Sequence, residues 1–150
     1  MKPRTMGTFL RAACILVALA GAAVLFLTRR GLYNEGEVYY ISRALPWLSL
    51  PCWAALVLFW RVTGNIGRDR SFCLENVRLL RGISALAFLD TAALAVLGVV
   101  LMLMGLIGLR ILSYVFCIVI LGGCIGVASL ALSALVDRAR AIQEENDFTV

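Results

Sequence analysis

Four long stretches without charged residues, separated by short charged segments, dominate this chain. Residues 12–28, 44–60 and 111–136 carry no charged side chain, and residues 82–109 carry only Asp90. An α-helix rises about 1.5 Å per residue, so about 17–25 apolar residues cross the ~30 Å hydrocarbon core of a bilayer. The sequence therefore predicts an all-α integral membrane four-helix bundle. It forms a single domain over residues 1–150, with spans at about 9–28, 44–61, 84–108 and 111–136.

The overall composition agrees with this class. Hydrophobic residues make up 62% of the chain, whereas about 45–50% apolar residues is usual for a soluble domain. The formal net charge is +5, but the arginines flank the apolar stretches, which is the pattern expected for contacts with anionic lipid headgroups. We therefore expect contact with membrane lipid and no direct binding of nucleic acid.

Lysine and arginine are distributed unevenly between the two ends of the predicted spans. If the N-terminus lies in the cytoplasm, the outer segments contain Arg29, Arg30, Arg43 and Arg110. The cytoplasmic segments then contain the remaining basic residues: Lys2, Arg4, Arg11, Arg61, Arg68, Arg70, Arg78, Arg81, Arg138 and Arg140. Because basic residues concentrate on the cytoplasmic side of membrane proteins, we predict an N-in/C-in topology. Loop 61–81 and a cytoplasmic tail, residues 137–150, then lie on the same side.

The first span has an alternative interpretation as a signal peptide. Lys2 and Arg4 form a basic start, and Ala18-Leu19-Ala20 is similar to a small-residue cleavage site. The apolar run continues to Leu27, beyond that site, so we favour an uncleaved span.

Asp90 is the one charged residue well inside a predicted span. Carboxylates within a membrane are energetically expensive and often functional. Nineteen residues separate Asp90 from Arg110, which alone nearly crosses the ~30 Å core, so we expect Asp90 near the cytoplasmic edge or about one turn inside. Arg11 and Arg61 border the first two spans, and we expect them at a similar depth. Our preferred interpretation is an ion pair between Asp90 and one of these arginines that fixes the bundle. The alternative is a proton or ion pathway through a small transporter or channel component.

Two features predict how the third and fourth spans pack. Gly105 and Gly108 lie in a very short connection, so the two spans should form an antiparallel hairpin. The fourth span carries a stripe of small residues on one helix face: Gly122, Gly126, Ser129 and Ser133. Small residues let helix backbones approach closely in membranes. We favour packing of this stripe against another span of the same chain, with a homodimer interface as the alternative.

The residue types needed for catalysis or metal binding are scarce in the sequence. The chain has no histidine, and its five cysteines form no Cys-x-x-Cys pair: Cys14, Cys52, Cys73, Cys117 and Cys124. A zinc site needs a denser cluster of ligands, and a Ser-His-Asp set needs histidine. We therefore expect no enzymatic activity, no catalytic residue, no metal and no cofactor. The cysteines are expected to pack in the core of the helices.

The predicted cytoplasmic face carries the distinctive polar residues. From Ser71, apolar and charged residues alternate with helical spacing, which predicts an amphipathic segment at the membrane surface before span three. The tail should continue as helix to about Glu145, and its acidic residues should contact the arginines of the loop. Together the two segments form a candidate surface for a cytosolic partner: Arg68, Arg70, Ser71, Phe72, Glu75, Asn76, Arg78, Arg81, Glu144, Glu145, Asn146 and Asp147.

Motifs in this loop and tail carry a family resemblance. The loop reads Ser71-Phe72-Cys73-x-x-Asn76-Val77-x-x-Leu80-Arg81, and the tail reads Glu144-Glu145-Asn146-Asp147-Phe148-Thr149-Val150. The chain resembles the YoaS-like family of small four-span bacterial membrane proteins, a domain of unknown function, although leucine is usual where Phe148 stands. The resemblance implies a multi-pass protein of the bacterial cytoplasmic (inner) membrane. Family members are often encoded beside a small helix-turn-helix regulator of the Xre type, which implies a cytosolic transcription regulator as a partner.

These observations lead to two functional hypotheses. The first is a non-enzymatic regulatory or accessory protein whose loop and tail hold a cytosolic regulator, or which joins other membrane subunits. The second is a small transporter or channel component that uses Asp90.

Overall fold

Four long α-helices form the structure, a computed structural model that describes residues 3–30, 38–67 and 73–148. The helices are α1 (Pro3–Arg29), α2 (Val38–Ile66), α3 (Leu74–Leu103) and α4 (Leu109–Phe148). Each is long and apolar enough to cross a membrane. The predicted all-α fold with four candidate spans is therefore confirmed. α1, α2 and α4 extend beyond the predicted spans at both ends, whereas α3 begins earlier than predicted and ends at Leu103, before the predicted end at residue 108.

The helices pack in chain order, α1 on α2, α2 on α3 and α3 on α4. A small apolar cluster of Val62, Leu80 and Ile83 lies where α2 meets α3, and Val136 of α4 packs against it. Many large apolar side chains elsewhere are exposed; Leu103, for example, has 82% of its surface accessible. Lipid tails are as apolar as these side chains, so their exposure is not penalised in a bilayer. The interior of the bundle can therefore be small.

Neighbouring helices run antiparallel, which gives the bundle two distinct ends. We call the end that contains Gly7, Gly67, Leu74 and the last turns of α4 the tail end. The opposite end, which contains Arg29, Val38 and Gly105, is the turn end. Under the predicted topology the tail end is cytoplasmic, and this orientation stays a prediction.

Glycines mark two of the closest approaches between helices. Gly7 of α1 lies against Gly67 after α2, where an added Cβ at Gly7 would stand 3.0 Å from the Gly67 Cα. Gly98 of α3 lies against Val115 of α4, where an added Cβ would stand 2.9 Å from Cγ1 of Val115. Such close approach lets dispersion contacts hold the helices together where lipid removes the hydrophobic driving force.

Gly105 makes the turn that joins α3 to α4. It has a left-handed backbone conformation with φ of 71°, which glycine adopts without steric penalty. The amide of Gly105 donates to the carbonyl of Met102 at 2.9 Å, and the amide of Leu106 donates to the carbonyl of Leu101 at 3.0 Å. This pair of bonds is the Schellman motif that ends many helices. It ends α3 and reverses the chain direction, so α4 runs antiparallel to α3 and the predicted hairpin is present.

The tail ends of α3 and α4 differ from their predicted forms. α3 is one continuous helix from Leu74, so residues 74–81 form its first two turns and are not a separate surface helix. Ser71 and Phe72, where the amphipathic pattern begins, lie outside the described residues. α4 continues to Phe148, past the predicted helix end near Glu145.

Candidate functional site

Buried serines link α3 to α4 between the middle of the bundle and the tail end. The Ser84 hydroxyl donates to the carbonyl of Gly126 at 2.8 Å, and the Ser133 hydroxyl donates to the carbonyl of Val77 at 3.2 Å. Ser84 and Ser133 expose 3% and 1% of their surface. Hydrogen bonds between membrane helices contribute about 0.6 kcal/mol on average. Their main consequence here is to fix the register of the two helices.

Two asparagines link α2 to α3 at the tail end. The side-chain amide of Asn65 donates to Oδ1 of Asn76 at 2.9 Å. Asn76 exposes only 2% of its surface, because α3 begins at Leu74 and turns this side chain toward α2. The prediction that Asn76 belongs to an exposed partner surface is therefore wrong, and its amide belongs to the interior of the bundle.

A chain of ion pairs runs from α3 onto the last turns of α4. Arg81 lies 3.4 Å from Asp137. Asp137 lies 3.9 Å from Arg140, and Arg140 lies 3.6 Å from Glu144. The Arg81 side chain is 60% exposed, and exposed pairs contribute only about 0–1 kcal/mol each. The tail thus contacts α3 through Asp137, while Glu144 pairs within its own helix.

Residues 137–148, which we call the α4 extension, present two neighbouring faces. Asp137, Arg140 and Glu144 follow one another at intervals of three and four residues, so they share one face of the helix. The Arg81–Asp137 ion pair holds this face toward α3. Arg138 and Ile142 lie one turn apart on the next face, and both are exposed. Ile142 has 60% of its surface accessible, although it lies beyond the apolar run. An exposed apolar side chain beside a charged one is the kind of feature used when a helix binds in a partner's groove.

The structure places only part of the predicted partner surface. Glu75 and Arg78 are exposed on the first turns of α3, and Glu144 and Glu145 are exposed on the α4 extension. Several predicted members lie outside the described residues: Arg68, Arg70, Ser71, Phe72, and the side chains of Asn146 and Asp147. The described members all lie at the tail end. Sequence reasoning missed Asp137, Arg138, Arg140 and Ile142. Their helical spacing directly after the last apolar run was the signal that could have identified them as a continuation of α4.

Asp90 lies deeper in the bundle than its place in the sequence predicted. Gly82 of α3 packs against Leu58 of α2, which fixes the register of these antiparallel helices. Asp90 lies about 12 Å from Gly82 toward the turn end, whereas Arg61 lies about 5 Å from Leu58 toward the tail end. The two residues are therefore separated by about 17 Å along the bundle, too far for Arg61 to pair with this carboxylate.

The predicted ion pair between Asp90 and Arg11 or Arg61 is therefore absent. Oδ1 of Asp90 is buried and has no hydrogen-bond partner among the described residues. The Arg11 guanidinium instead lies over the Trp60 ring, 5.5 Å from its centroid, near the tail end of α2. Asp90 is a carboxylate within a membrane-spanning helix that has no cationic partner in the part of the chain described.

The small-residue stripe of α4 faces α3. An added Cβ at Gly122 would stand 2.6 Å from Oγ1 of Thr91, and one at Gly126 would stand 3.1 Å from ring carbons of Phe88. The last two members of the stripe, Ser129 and Ser133, are half-buried and buried. At Gly122, Gly126 and Ser133 the stripe contacts α3 of the same chain, and the homodimer alternative stays untested.

The cysteines of the chain are free thiols. Cys14 is buried, but Cys52, Cys117 and Cys124 are exposed, so the prediction that the cysteines pack in the core is wrong for these three. A thiol is weakly polar, and in a bilayer it can face lipid tails as readily as a neighbouring side chain. Within the described residues, no group of three His, Cys, Asp or Glu side chains is arranged to hold a metal ion.

The family of the chain is identifiable, although its function is not established. No curated protein and no solved structure matches it. A family model described as "Protein of unknown function (DUF2975)" matches residues 37–150, the part of the chain that contains α2, α3 and α4. This match does not confirm the YoaS-like name that the loop and tail motifs suggest. The chain belongs to the DUF2975 family of proteins of unknown function.

Proposed function

We propose that this chain is a non-enzymatic regulatory or accessory membrane protein whose tail end holds a soluble partner. The observation that carries the proposal is the α4 extension. Residues 137–148 continue the helix by about 18 Å, beyond the apolar run that ends at Val136. The Arg81–Asp137 ion pair joins this projection to α3, which gives a partner a defined surface to contact.

The chemistry of the α4 extension supports a particular mode of binding. Ile142 exposes an apolar side chain one turn after Arg138, and a partner with an apolar groove bordered by acidic residues complements this pair. Arg81 and Asp137 are themselves partly exposed. Because exposed ion pairs are weak, a partner can rearrange them at little cost.

The partner class that we propose is a cytosolic helix-turn-helix regulator of the Xre type, held at the membrane. The resemblance of the loop and tail motifs supports this class. The predicted topology supports it as well, because the positive-inside rule puts the tail end in the cytoplasm. Other membrane subunits are the alternative partners, and the bacterial inner membrane is the location that we propose.

Co-purification from the native membrane in mild detergent tests this function. The test variant is Arg138→Glu/Ile142→Asp, which reverses the charge and removes the apolar contact of the exposed face. The matched control is Arg110→Glu, since Arg110 is an exposed arginine at the other end of the same helix. We expect mass spectrometry to find a stoichiometric cytosolic DNA-binding protein with the unmodified chain and with Arg110→Glu, but not with the double variant.

The acidic residues of the tail provide an independent variant. Replacement of Glu144, Glu145 and Asp147 by alanine should also release the partner if basic residues of the partner contact the acidic side chains of the tail. Recovery of the chain alone in repeated mild conditions contradicts the proposal. Equal recovery of a partner from every variant excludes the α4 extension as its binding surface, and recovery of membrane subunits alone favours the accessory role.

A second function, that of a small transporter or channel component, is supported by one observation. Asp90 has a buried oxygen without a hydrogen-bond partner in a membrane-spanning helix, and such carboxylates frequently belong to ion pathways. Proton- or ion-dependent flux into proteoliposomes that disappears in Asp90→Asn supports this function. Equal flux through proteoliposomes of the two proteins and through empty liposomes excludes it.

A further inference from the structure

A groove runs between α1 and α2 from the turn end toward the middle of the bundle. Its mouth is a cleft of about 300 Å³ lined by Thr28, Arg29, Ser42, Arg43 and Pro46. Arg29 and Pro46 also line a second cleft, of about 430 Å³, which reaches Trp53. We call these two neighbouring clefts the lateral groove.

The lateral groove has the dimensions of a lipid chain site. It extends about 15 Å along α2 from Arg43 to Trp53, which matches the ~15 Å that one leaflet contributes to a ~30 Å hydrocarbon core. Beyond the mouth, its walls are mainly apolar and include Ala22, Leu25 and Leu50.

The mouth of the groove is positively charged. Arg29 and Arg43 both line it. Arg43 donates one hydrogen bond to the Tyr39 hydroxyl at 3.1 Å, and since a guanidinium has five N–H donors, most of its donors remain for a ligand. Among the described residues, no carboxylate lines the mouth. Guanidinium groups bind phosphate oxygens through strong charge-assisted hydrogen bonds.

We propose that the lateral groove binds one anionic phospholipid, with its phosphate between Arg29 and Arg43 and an acyl chain beside Trp53. Charge complementarity at the mouth and apolar walls beyond it match the two parts of such a lipid. A soluble anion has no apolar part that would contact the apolar walls of the groove. A partner's transmembrane helix would need contact across the whole ~30 Å core, whereas the groove ends near Trp53.

Quenching of Trp53 fluorescence by brominated lipids tests the proposal on the full chain. The chain has three tryptophans, so Trp47→Phe/Trp60→Phe leaves Trp53 as the sole emitter. The protein is placed in phosphatidylcholine nanodiscs that contain an equal fraction of brominated phosphatidylglycerol or brominated phosphatidylcholine. We expect the anionic lipid to be preferred about tenfold at Trp53, because two charge-assisted contacts distinguish the site from bulk lipid.

Variants separate a built site from general attraction to the membrane surface. Arg29→Gln/Arg43→Gln should abolish the preference. Arg110→Gln should retain it, since Arg110 lies in the first turn of α4 at the same end of the bundle but lines neither cleft.

A steric variant tests occupancy of the groove directly. Ala22 lines the second cleft, so Ala22→Leu should reduce quenching by both lipids while the unfolding midpoint stays at that of the parent protein. Equal quenching of Trp53 by both lipids in the parent protein overturns the proposal, as does an equal loss of preference in Arg110→Gln. Weak quenching by both lipids also overturns it, because another occupant, such as a second copy or a partner helix, then fills the groove.

Discussion

Gly98 provides a sharp test of how α3 and α4 pack. It is buried, and an alanine there would place Cβ at 2.9 Å from Cγ1 of Val115 and 3.7 Å from its Cβ. A Cβ atom essentially never lies 2.9 Å from a non-bonded carbon atom of another helix, so one of the helices has to shift. Val115 cannot yield easily, because it is only 6% exposed and a β-branched side chain in a helix has one strongly preferred rotamer.

The expected loss of stability is the difference between two opposing effects. Overpacking of a filled interior costs about 1–3 kcal/mol, whereas alanine in place of glycine favours the helix by about 0.5–1 kcal/mol. We expect Gly98→Ala to lower the free energy of unfolding by about 1–2 kcal/mol. Gly123 of α4 is the matched control, because an added Cβ there meets no atom within 4 Å. Gly123→Ala should leave the stability unchanged or raise it slightly.

The free energy of unfolding of both variants can be measured by reversible unfolding in mixed detergent micelles, followed by circular dichroism. A second substitution, at Val115, isolates the contact. Val115→Ala removes Cγ1 and leaves its Cβ at the ordinary distance of 3.7 Å. Alone it should cost about 1–2 kcal/mol, because its methyl groups lose their packing. Together with Gly98→Ala the cost should be about 1 kcal/mol less than additive. Equal effects of Gly98→Ala and Gly123→Ala, or strict additivity of the double variant, would refute the packing assigned to this pair.

Three further predictions concern polar groups of the bundle. Ser84→Ala should lower the free energy of unfolding by about 0.6 kcal/mol in the same assay, and a loss above about 2 kcal/mol would mean that the hydroxyl does more than fix register. Asp137→Arg should destabilise the protein by up to about 1 kcal/mol. Addition of Arg81→Glu should restore the lost stability at low salt but not at high salt, and absence of this rescue at low salt contradicts the ion pair. Asp90→Leu should raise the stability by about 1–2 kcal/mol, because it removes an unpaired carboxylate from hydrocarbon, and a loss of stability would show that the carboxylate has a structural partner.

The spans could be predicted from the sequence because one physical length decides them. A bilayer core of ~30 Å imposes a minimum apolar run on every membrane helix, and each of the four runs in this chain meets it. The turn between α3 and α4 was equally accessible, since Gly105 lies in a connection too short for any arrangement but a hairpin. Backbone requirements of this kind depend on local sequence alone.

The partners of individual side chains could not be predicted in the same way, because they depend on the register between helices. Asp90 and Arg61 were expected at one depth, yet the contact of Gly82 with Leu58 sets α3 against α2 so that they lie far apart. Asn76 was expected on the surface, but the continuous start of α3 turns it inward to Asn65. An amide near the end of each of two antiparallel helices was the signal that could have suggested this bond.

The rule that cysteine is buried failed for a different physical reason. Burial statistics reflect avoidance of water, and a lipid-facing position satisfies that preference without any contact to protein. Cys117 and Cys124 on α4 are exposed in this sense. In a membrane protein, the residues that identify the interior are therefore the small and polar ones, such as Gly126 and Ser84, which meet at a hydrogen bond of 2.8 Å.

The bundle divides into two helix pairs with different packing, and the two proposals rest on different pairs. The α3–α4 pair is joined by Ser84, Ser133 and the close approach at Gly98, and it carries the α4 extension. A binding surface works best on such a firmly held element. The α1–α2 pair packs closely where Gly7 meets Gly67 at the tail end, and it opens into the lateral groove at the turn end, where a lipid would complete the packing. Variants of Arg138 and Ile142 should therefore change partner recovery without changing the lipid preference at Trp53. Variants of Arg29 and Arg43 should do the reverse, so that failure of one proposal leaves the other standing.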